Sequence, residues 1–222
     1  MAVRSKGHAP RRRRNPEKTR EAILEAAGLV TAQDGSEGLT VAQVAQRAGV
    51  NRGTAYLHFR TREELVEATA AWVSDKLYRS VFGDPEQAAN QPVETISAEV
   101  LMERLTDFAM ANPEHGRVWL FELLRSQRPA KDKFWRQYYS NFAKFAKTEF
   151  AVPGIDVEVT SVLMLAGTFL WPVWASVHAR NAKERRQLAK RFSREVLRLS
   201  LHGTLRPELH EAQPQRKKRR KS

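Results

Sequence analysis

The 222-residue sequence contains no cysteine, which excludes disulfides, thiol redox sensing and cysteine-ligated metal, and makes the cytoplasm the simplest expected location. The basic run Arg11 to Arg14 is followed by Asn15-Pro16-Glu17 and not by an apolar stretch, so no secretory leader is expected there. Walker, dinucleotide-binding, HExxH and GxSxG motifs are all missing. The six histidines are scattered: His8 and His210 near the ends, His58 in a short helical stretch, and His115, His178 and His202 without paired ligand spacing. No catalytic residue, metal site or cofactor is therefore expected, and the chain does not read as an enzyme.

Acidic residues are scarce at both ends. The formal net charge is +13; residues 1–20 hold eight Lys/Arg against Glu17, and residues 206–222 hold seven against Glu208 and Glu211. The ends thus carry +7 and +5 and leave the body near neutral. A basic block poor in apolar residues does not fold by itself, so residues 1–14 and 206–222 are expected to be disordered basic tails, suited to a polyanion or serving only solubility. The 41% hydrophobic content suffices for one or two small cores between them.

The most informative stretch is Thr40 to Phe59. Thr40 with Gln43 forms a capping-box pattern, Val41, Val44, Ala45 and Ala48 recur at helical spacing, and Gln43, Gln46 and Arg47 point away. Gly49 supplies the left-handed exit that ends the helix, Val50 is expected to drop into the core, and Asn51 caps a second helix. Two helices joined by so short a turn, with the small Ala45 where they cross, form a helix-turn-helix, whose second helix enters the major groove of DNA. Asn51, Arg52, Gly53 and Thr54 open that helix with side chains suited to bases or phosphates, and Gly53 permits close backbone approach.

These residues, with Tyr56, Phe59 and Arg62 to Leu65, resemble the DNA-binding domain of the TetR/AcrR family of bacterial transcriptional regulators. The motif is specific over Leu39 to Leu65; over the remainder the resemblance is one of architecture. It implies that Thr40 contacts phosphate, that Arg52 and Thr54 sit at the major groove, that Tyr56 and His58 reach the backbone, and that Arg62 clamps a phosphate. The DNA-binding candidates are thus Thr40, Gln43, Asn51, Arg52, Gly53, Thr54, Tyr56, His58 and Arg62. Asn51 stands where the family often has Ser and Arg62 where Lys is common; both keep donor chemistry.

The chain is expected to be all-α: a three-helix DNA-binding domain over residues 15–66, then a helical ligand-binding and dimerisation domain over residues 67–205. A first helix starts at Asn15-Pro16, buries Ile23, Ala26, Ala27 and Val30, and breaks at Gly35 to Gly38. By analogy with other DNA-binding domains, Arg11 to Arg14 ahead of it are expected in the minor groove. Thr61 with Glu64 opens a long helix to about Phe82, carrying Leu65, Ala68, Trp72, Val73 and Leu77. Further helices are expected over 93–111 (with Ile96, Val100, Leu101, Leu105 and Phe108), from an Asn112-Pro113 cap, over 131–150, from Asp156, and from an Asn181–Glu184 cap. The last carries Leu188, Arg191 or Phe192, Glu195, Leu199 and His202 on one face.

Val159 to Val177 is uncharged and long enough for a membrane span, but equal basicity at both ends gives a span no inside, and Pro172 interrupts it. Buried on all sides, it fits a helix shared between a ligand pocket and a dimer interface. The resemblance implies that this helix and the last pair with their copies. Trp119, Phe121, Glu122, Tyr138, Phe142, Met164, Phe169 and Trp174 are the candidates for an apolar small-molecule site. The expected function is a homodimeric, ligand-responsive repressor that releases a palindromic operator when a small effector binds. The partners are double-stranded DNA, a second copy and the effector, without a membrane. The competing reading is a nucleoid-associated protein without an effector, told apart by its lack of operator preference.

Overall fold

The computed structural model describes residues 15–84 and 98–204; the two basic tails, with the arm Arg11 to Arg14, and residues 93–97 with Ile96 lie outside them. The described residues form nine α-helices and one short 3-10 turn, the all-α architecture expected. The described residues divide into two compact units, with the division between Val66 and Glu67.

In the first unit, α1 (Pro16–Gly38) is opened by Asn15, whose side chain accepts the Glu17 N–H at 3.0 Å, with Pro16 in the first helical position. Its buried stripe of Ile23, Leu24, Ala26, Ala27 and Val30 contains the four residues expected. The helix runs through Gly35 and ends at Gly38, before Leu39, at the close of the stretch expected to break it. Glycine weakens a helix interior by about 1 kcal/mol without preventing it, and no proline follows to force an end.

Helix α2 (Val41–Arg47) is capped by Thr40, and α3 (Arg52–His58) by Asn51. Both pack on α1 and on each other around Val44, Ala45, Ala55 and Phe59, all essentially sealed from solvent. The turn between them closes by main-chain bonds. The Val50 N–H donates to Ala45 O at 3.0 Å and the Gly49 N–H to Gln46 O at 3.2 Å, with Gly49 at φ 64°. This paired pattern is the Schellman exit, which needs a left-handed residue where glycine costs least. Val50 is only half-buried, because the chain must turn outward again at once to reach the Asn51 cap.

Helix α4 (Arg62–Phe82) starts in the first unit, where Leu65 and Val66 are buried, and the unit boundary falls between Val66 and Glu67. Thr61 Oγ accepts the Glu64 N–H at 3.1 Å, but the Glu64 carboxylate reaches back to the Arg60 N–H at 2.8 Å. The box thus closes one residue earlier than its sequence pattern suggested, and ties down the loop after α3.

The second unit contains the rest of α4 and α5 (Ala98–Ala111), α6 (Pro113–Arg125), a 3-10 turn (Pro129–Lys131), α7 (Lys133–Phe145), α8 (Val157–His178) and α9 (Ala182–Thr204). Its core is strongly aromatic: Phe82, Trp119, Phe134, Trp135, Tyr138 and Phe169 pack with Val73, Leu77, Leu105 and Leu165. Asn112 stands before α6 without capping it; its amide instead donates to Phe108 O at 3.0 Å and closes α5. The helix expected over 131–150 is shorter, since Asp132 caps it and it stops at Phe145, well before Gly154 turns the chain at φ 83°.

A polar knot joins three of these helices. Asp132 accepts from the Trp119 indole N–H at 2.9 Å, the Ser74 hydroxyl at 2.9 Å and the Trp135 backbone N–H at 2.8 Å. Ser74 Oγ in turn accepts the Phe134 N–H at 3.1 Å, and Lys133 pairs with Asp75. The start of α7 is therefore satisfied from α4 as well as from its own cap.

Helix α8 runs through Pro172 without ending. It is long and apolar enough to cross a bilayer by composition. Within the single chain it is covered on one side: Ser161, Leu165, Thr168, Phe169, Pro172 and Ala175 face the unit's interior, while Val159, Leu163, Leu170, Trp174 and Val177 are exposed. On α9 the inward face belongs to Val196, with Leu188 and Phe192 partly covered; Arg191, Glu195, Leu199 and His202 are exposed.

Candidate nucleic-acid interface

Helix α3 is anchored by Ala55, 0% exposed, and by Phe59 immediately after it. Helical geometry then sends Gly53, Tyr56 and Leu57 to the opposite side, with Arg52 alongside at its N-terminal end. All four are exposed, Leu57 by 87%. Thr54 and His58 lie on the flanks and are half-buried. A leucine held so far out on a short helix is unexplained by the core. Sequence reasoning did not single it out, although counting round the helix from Ala55 was enough to find it. Such a side chain offers apolar contact of the kind that recognises a thymine methyl group.

The caps leave a specific donor inventory. Gln43 Oε1 accepts both the Thr40 N–H at 3.0 Å and the Thr40 hydroxyl at 2.8 Å, and Thr40 Oγ accepts the Gln43 N–H at 3.2 Å. Asn51 Oδ1 accepts the Gly53 N–H at 2.7 Å. Both amides thus turn their oxygens inward and keep their NH2 groups for an outside acceptor, which suits phosphate or a purine edge. The Thr40 hydroxyl, expected to donate to phosphate, is already donating to Gln43. A Cβ on Gly53 would lie 3.2 Å from Asn51 Oδ1, so the glycine also keeps room for the cap beneath it.

Arg62, at the first position of α4, is half-buried and holds Glu63 at 3.0 Å. The Glu63 carboxyl is kept below its usual range by a backbone hydrogen bond first and by Arg62 next. Exposed Arg47, Arg52 and Arg60 are the cations of α2, α3 and the loop that follows. Arg20 lies over the Phe59 ring at 5.3 Å, linking α1 to the residue that anchors α3.

The candidates for a small-molecule site fall in different surroundings. Trp119, Tyr138 and Phe169 belong to the packed aromatic core, with Trp119 and Phe169 centroids 5.0 Å apart, and burial raises the Tyr138 hydroxyl well above its usual range. Phe142 and Met164 are half-buried. Phe121 and Trp174 are exposed, and Glu122 faces Arg125 at 3.9 Å.

Residues 23–69 match the family model described as bacterial regulatory proteins, tetR family. The chain is 31% identical over 110 residues to the HTH-type transcriptional regulator BetI of Rhizobium meliloti, covering 49% of this chain and 52% of that one. It is 29% identical over 119 residues to the HTH-type transcriptional repressor KstR2 of Mycolicibacterium smegmatis, covering 51% and 53%. The chain spans about half the length of these curated relatives. Among solved structures it is similar to the ketosteroid transcriptional regulator KstR2 of Mycobacterium tuberculosis (TM-score 0.58, 16% identity, 84% of this chain and 95% of that one). It is also similar to a gamma-butyrolactone receptor (TM-score 0.59, 20% identity, 89% and 93%). Over residues 23–69, which hold its helix-turn-helix, the chain is thus similar to the tetR family of bacterial regulatory proteins, and its helical second unit shares the fold of the solved regulators.

Proposed function

We propose that the chain is a homodimeric repressor of transcription that reads a palindromic operator through α3 and releases it when a small apolar effector binds the second unit. The observation that carries the reading is the outward set Arg52, Gly53, Tyr56 and Leu57 on a helix whose opposite side is sealed by Ala55. In this reading Arg52 and Leu57 contact bases. Asn51, Gln43 and Tyr56 hold the backbone, as does Arg62 from the start of α4, while Thr54 and His58 contact the groove walls and Thr40 positions Gln43.

Dimerisation is supported by α8. Val159, Leu163, Gly167, Leu170, Trp174 and Val177 recur every three or four residues, forming one exposed apolar seam along the helix. A seam of this kind fits the same seam on a second copy, and two reading helices one turn of DNA apart require such a two-fold partner.

The effector class is apolar. The aromatic residues around Trp119, Tyr138, Phe142, Met164 and Phe169 favour a flat or hydrocarbon-rich ligand, and proteins of similar fold include a ketosteroid transcriptional regulator and a gamma-butyrolactone receptor by name. The effector acts through its unequal affinity for the DNA-bound and released dimers. Footprinting on the DNA flanking its own gene is the test: an inverted repeat is expected to be protected, with operator affinity at least about 1,000-fold above random duplex at physiological salt. Uniform binding without a protected repeat overturns the reading in favour of a nucleoid-associated protein.

A further inference from the structure

Helix α9 carries Lys183, Arg185, Arg186, Lys190, Arg191, Arg194 and Arg198 against only Glu184 and Glu195. All seven cations are exposed. Successive residues turn by about 100°, so Lys183, Arg186, Lys190, Arg191, Arg194 and Arg198 fall within one face. Val196 and the half-buried Leu188 and Phe192 occupy the other, against α5 and α8. Phe192 stacks on Trp171 at 5.2 Å, which fixes the inward side. Glu195 is engaged by Arg198 at 2.6 Å, and its carboxyl is held below the usual range by that bond and by the fields of Arg198 and Arg191. Lys183, Arg186, Lys190 and Arg194 have no carboxylate partner among the described residues.

A helix surface with four unneutralised cations is destabilised by self-repulsion, and nothing in the packing of α9 requires them. At 1.5 Å per residue, the stripe from Lys183 to Arg198 is about 22 Å long, which matches the phosphates of roughly six base pairs. We propose that this outward face of α9 is a second DNA-backbone surface, which binds duplex phosphates without reading bases. The inference rests on the proposal that the chain works on duplex DNA, and adds a contact outside the helix-turn-helix. An anionic membrane fits less well. A helix lying on a bilayer inserts its own apolar face, whereas that face of α9 is already occupied by α5 and α8.

The test compares three full-length proteins on a short mixed-sequence duplex across a potassium chloride titration. They are the wild type, a variant with Lys183→Gln, Arg186→Gln, Lys190→Gln and Arg194→Gln, and a variant with Arg52→Ala and Tyr56→Ala. Glutamine has a helix propensity close to that of lysine and arginine, so the α9 variant is expected to fold, checked by circular dichroism. Each phosphate contact contributes about 0.9 to the slope of log affinity against log salt, so the α9 variant, lacking four cations, is expected to lose about 3.6 units of slope. Its footprint on specific DNA is expected to persist. The α3 variant is expected to lose the footprint while keeping the α9 contribution to the slope.

An unchanged slope in the α9 variant overturns the inference whatever the α3 variant does. If the footprint is absent from all three proteins while the α9 variant still loses slope, the operator reading fails and the α9 surface stands. Two further results also overturn the inference. One is loss of binding to phosphatidylserine vesicles with no change on duplex; the other is a changed subunit stoichiometry, which would place these cations at the dimer interface.

Discussion

Replacing Asp132 with alanine is expected to destabilise the protein by about 3 kcal/mol. Three donors converge on this carboxylate, from the Trp119 indole, the Ser74 hydroxyl and the Trp135 main chain. Loss of the helix cap contributes about 1 kcal/mol. The indole N–H, left without an acceptor beside a fully buried ring, adds a desolvation penalty of about 1–3 kcal/mol. Ser74 keeps one bond, because its oxygen still accepts from Phe134, so its share is small. Urea unfolding followed by fluorescence, at fixed protein concentration because an oligomer's stability depends on it, measures the sum. The decisive step is a double-mutant cycle with Trp119→Phe. Phenylalanine carries no N–H to strand, so Asp132→Ala is expected to cost about 1 kcal/mol less in that background. A single-variant loss below about 1 kcal/mol, or strict additivity in the cycle, would refute the assignment of Asp132 as the acceptor that organises this corner.

A methyl group on Gly116 would lie 2.5 Å from the Phe169 ring. Gly116→Ala is expected to lower stability by about 1–2 kcal/mol in chemical denaturation, overpacking outweighing the gain in helix propensity. Leu163→Glu, at a residue 64% exposed in a single chain, is expected to leave circular dichroism unchanged and to yield monomers in sedimentation velocity; an intact dimer would move the interface away from the α8 seam. Arg52→Ala is expected to reduce the preference among operator variants, whereas Arg62→Ala weakens every duplex alike and lowers the salt slope by about one. Equal loss of preference in both variants contradicts the division between base reading and phosphate holding.

The first unit was largely legible in its letters because local chemistry decides it. Thr40, Gln43, Gly49 and Asn51 specify a cap, an exit and a second cap within a dozen residues, and the hydrogen bonds form as those patterns require. What was not legible there is direction: Leu57 reads as one more apolar residue until Ala55 is known to be the anchor. In the second unit the helices were foreseen, but their ends and partners were not. Asn112 looks like a helix cap and serves the preceding helix instead. The Asp132 knot joins residues 58 positions apart, Ser74 to Asp132, a separation that no periodicity reveals. Which side of α8 faces the interior was not legible, because a sequence uniformly apolar around its circumference does not tell an inner face from an outer one.

The bend at Gly49 is held by main-chain atoms and one left-handed glycine, and the packing beneath it by Ala45, Ala55 and Phe59. None of these depends on what stands at positions 52, 56 or 57. The scaffold that aims the probe is therefore chemically separate from the letters on its tip. Under the proposed function, new target sequences become reachable by exchanging outer side chains one at a time, with neither the angle of presentation nor the stability of the bundle held hostage to the change.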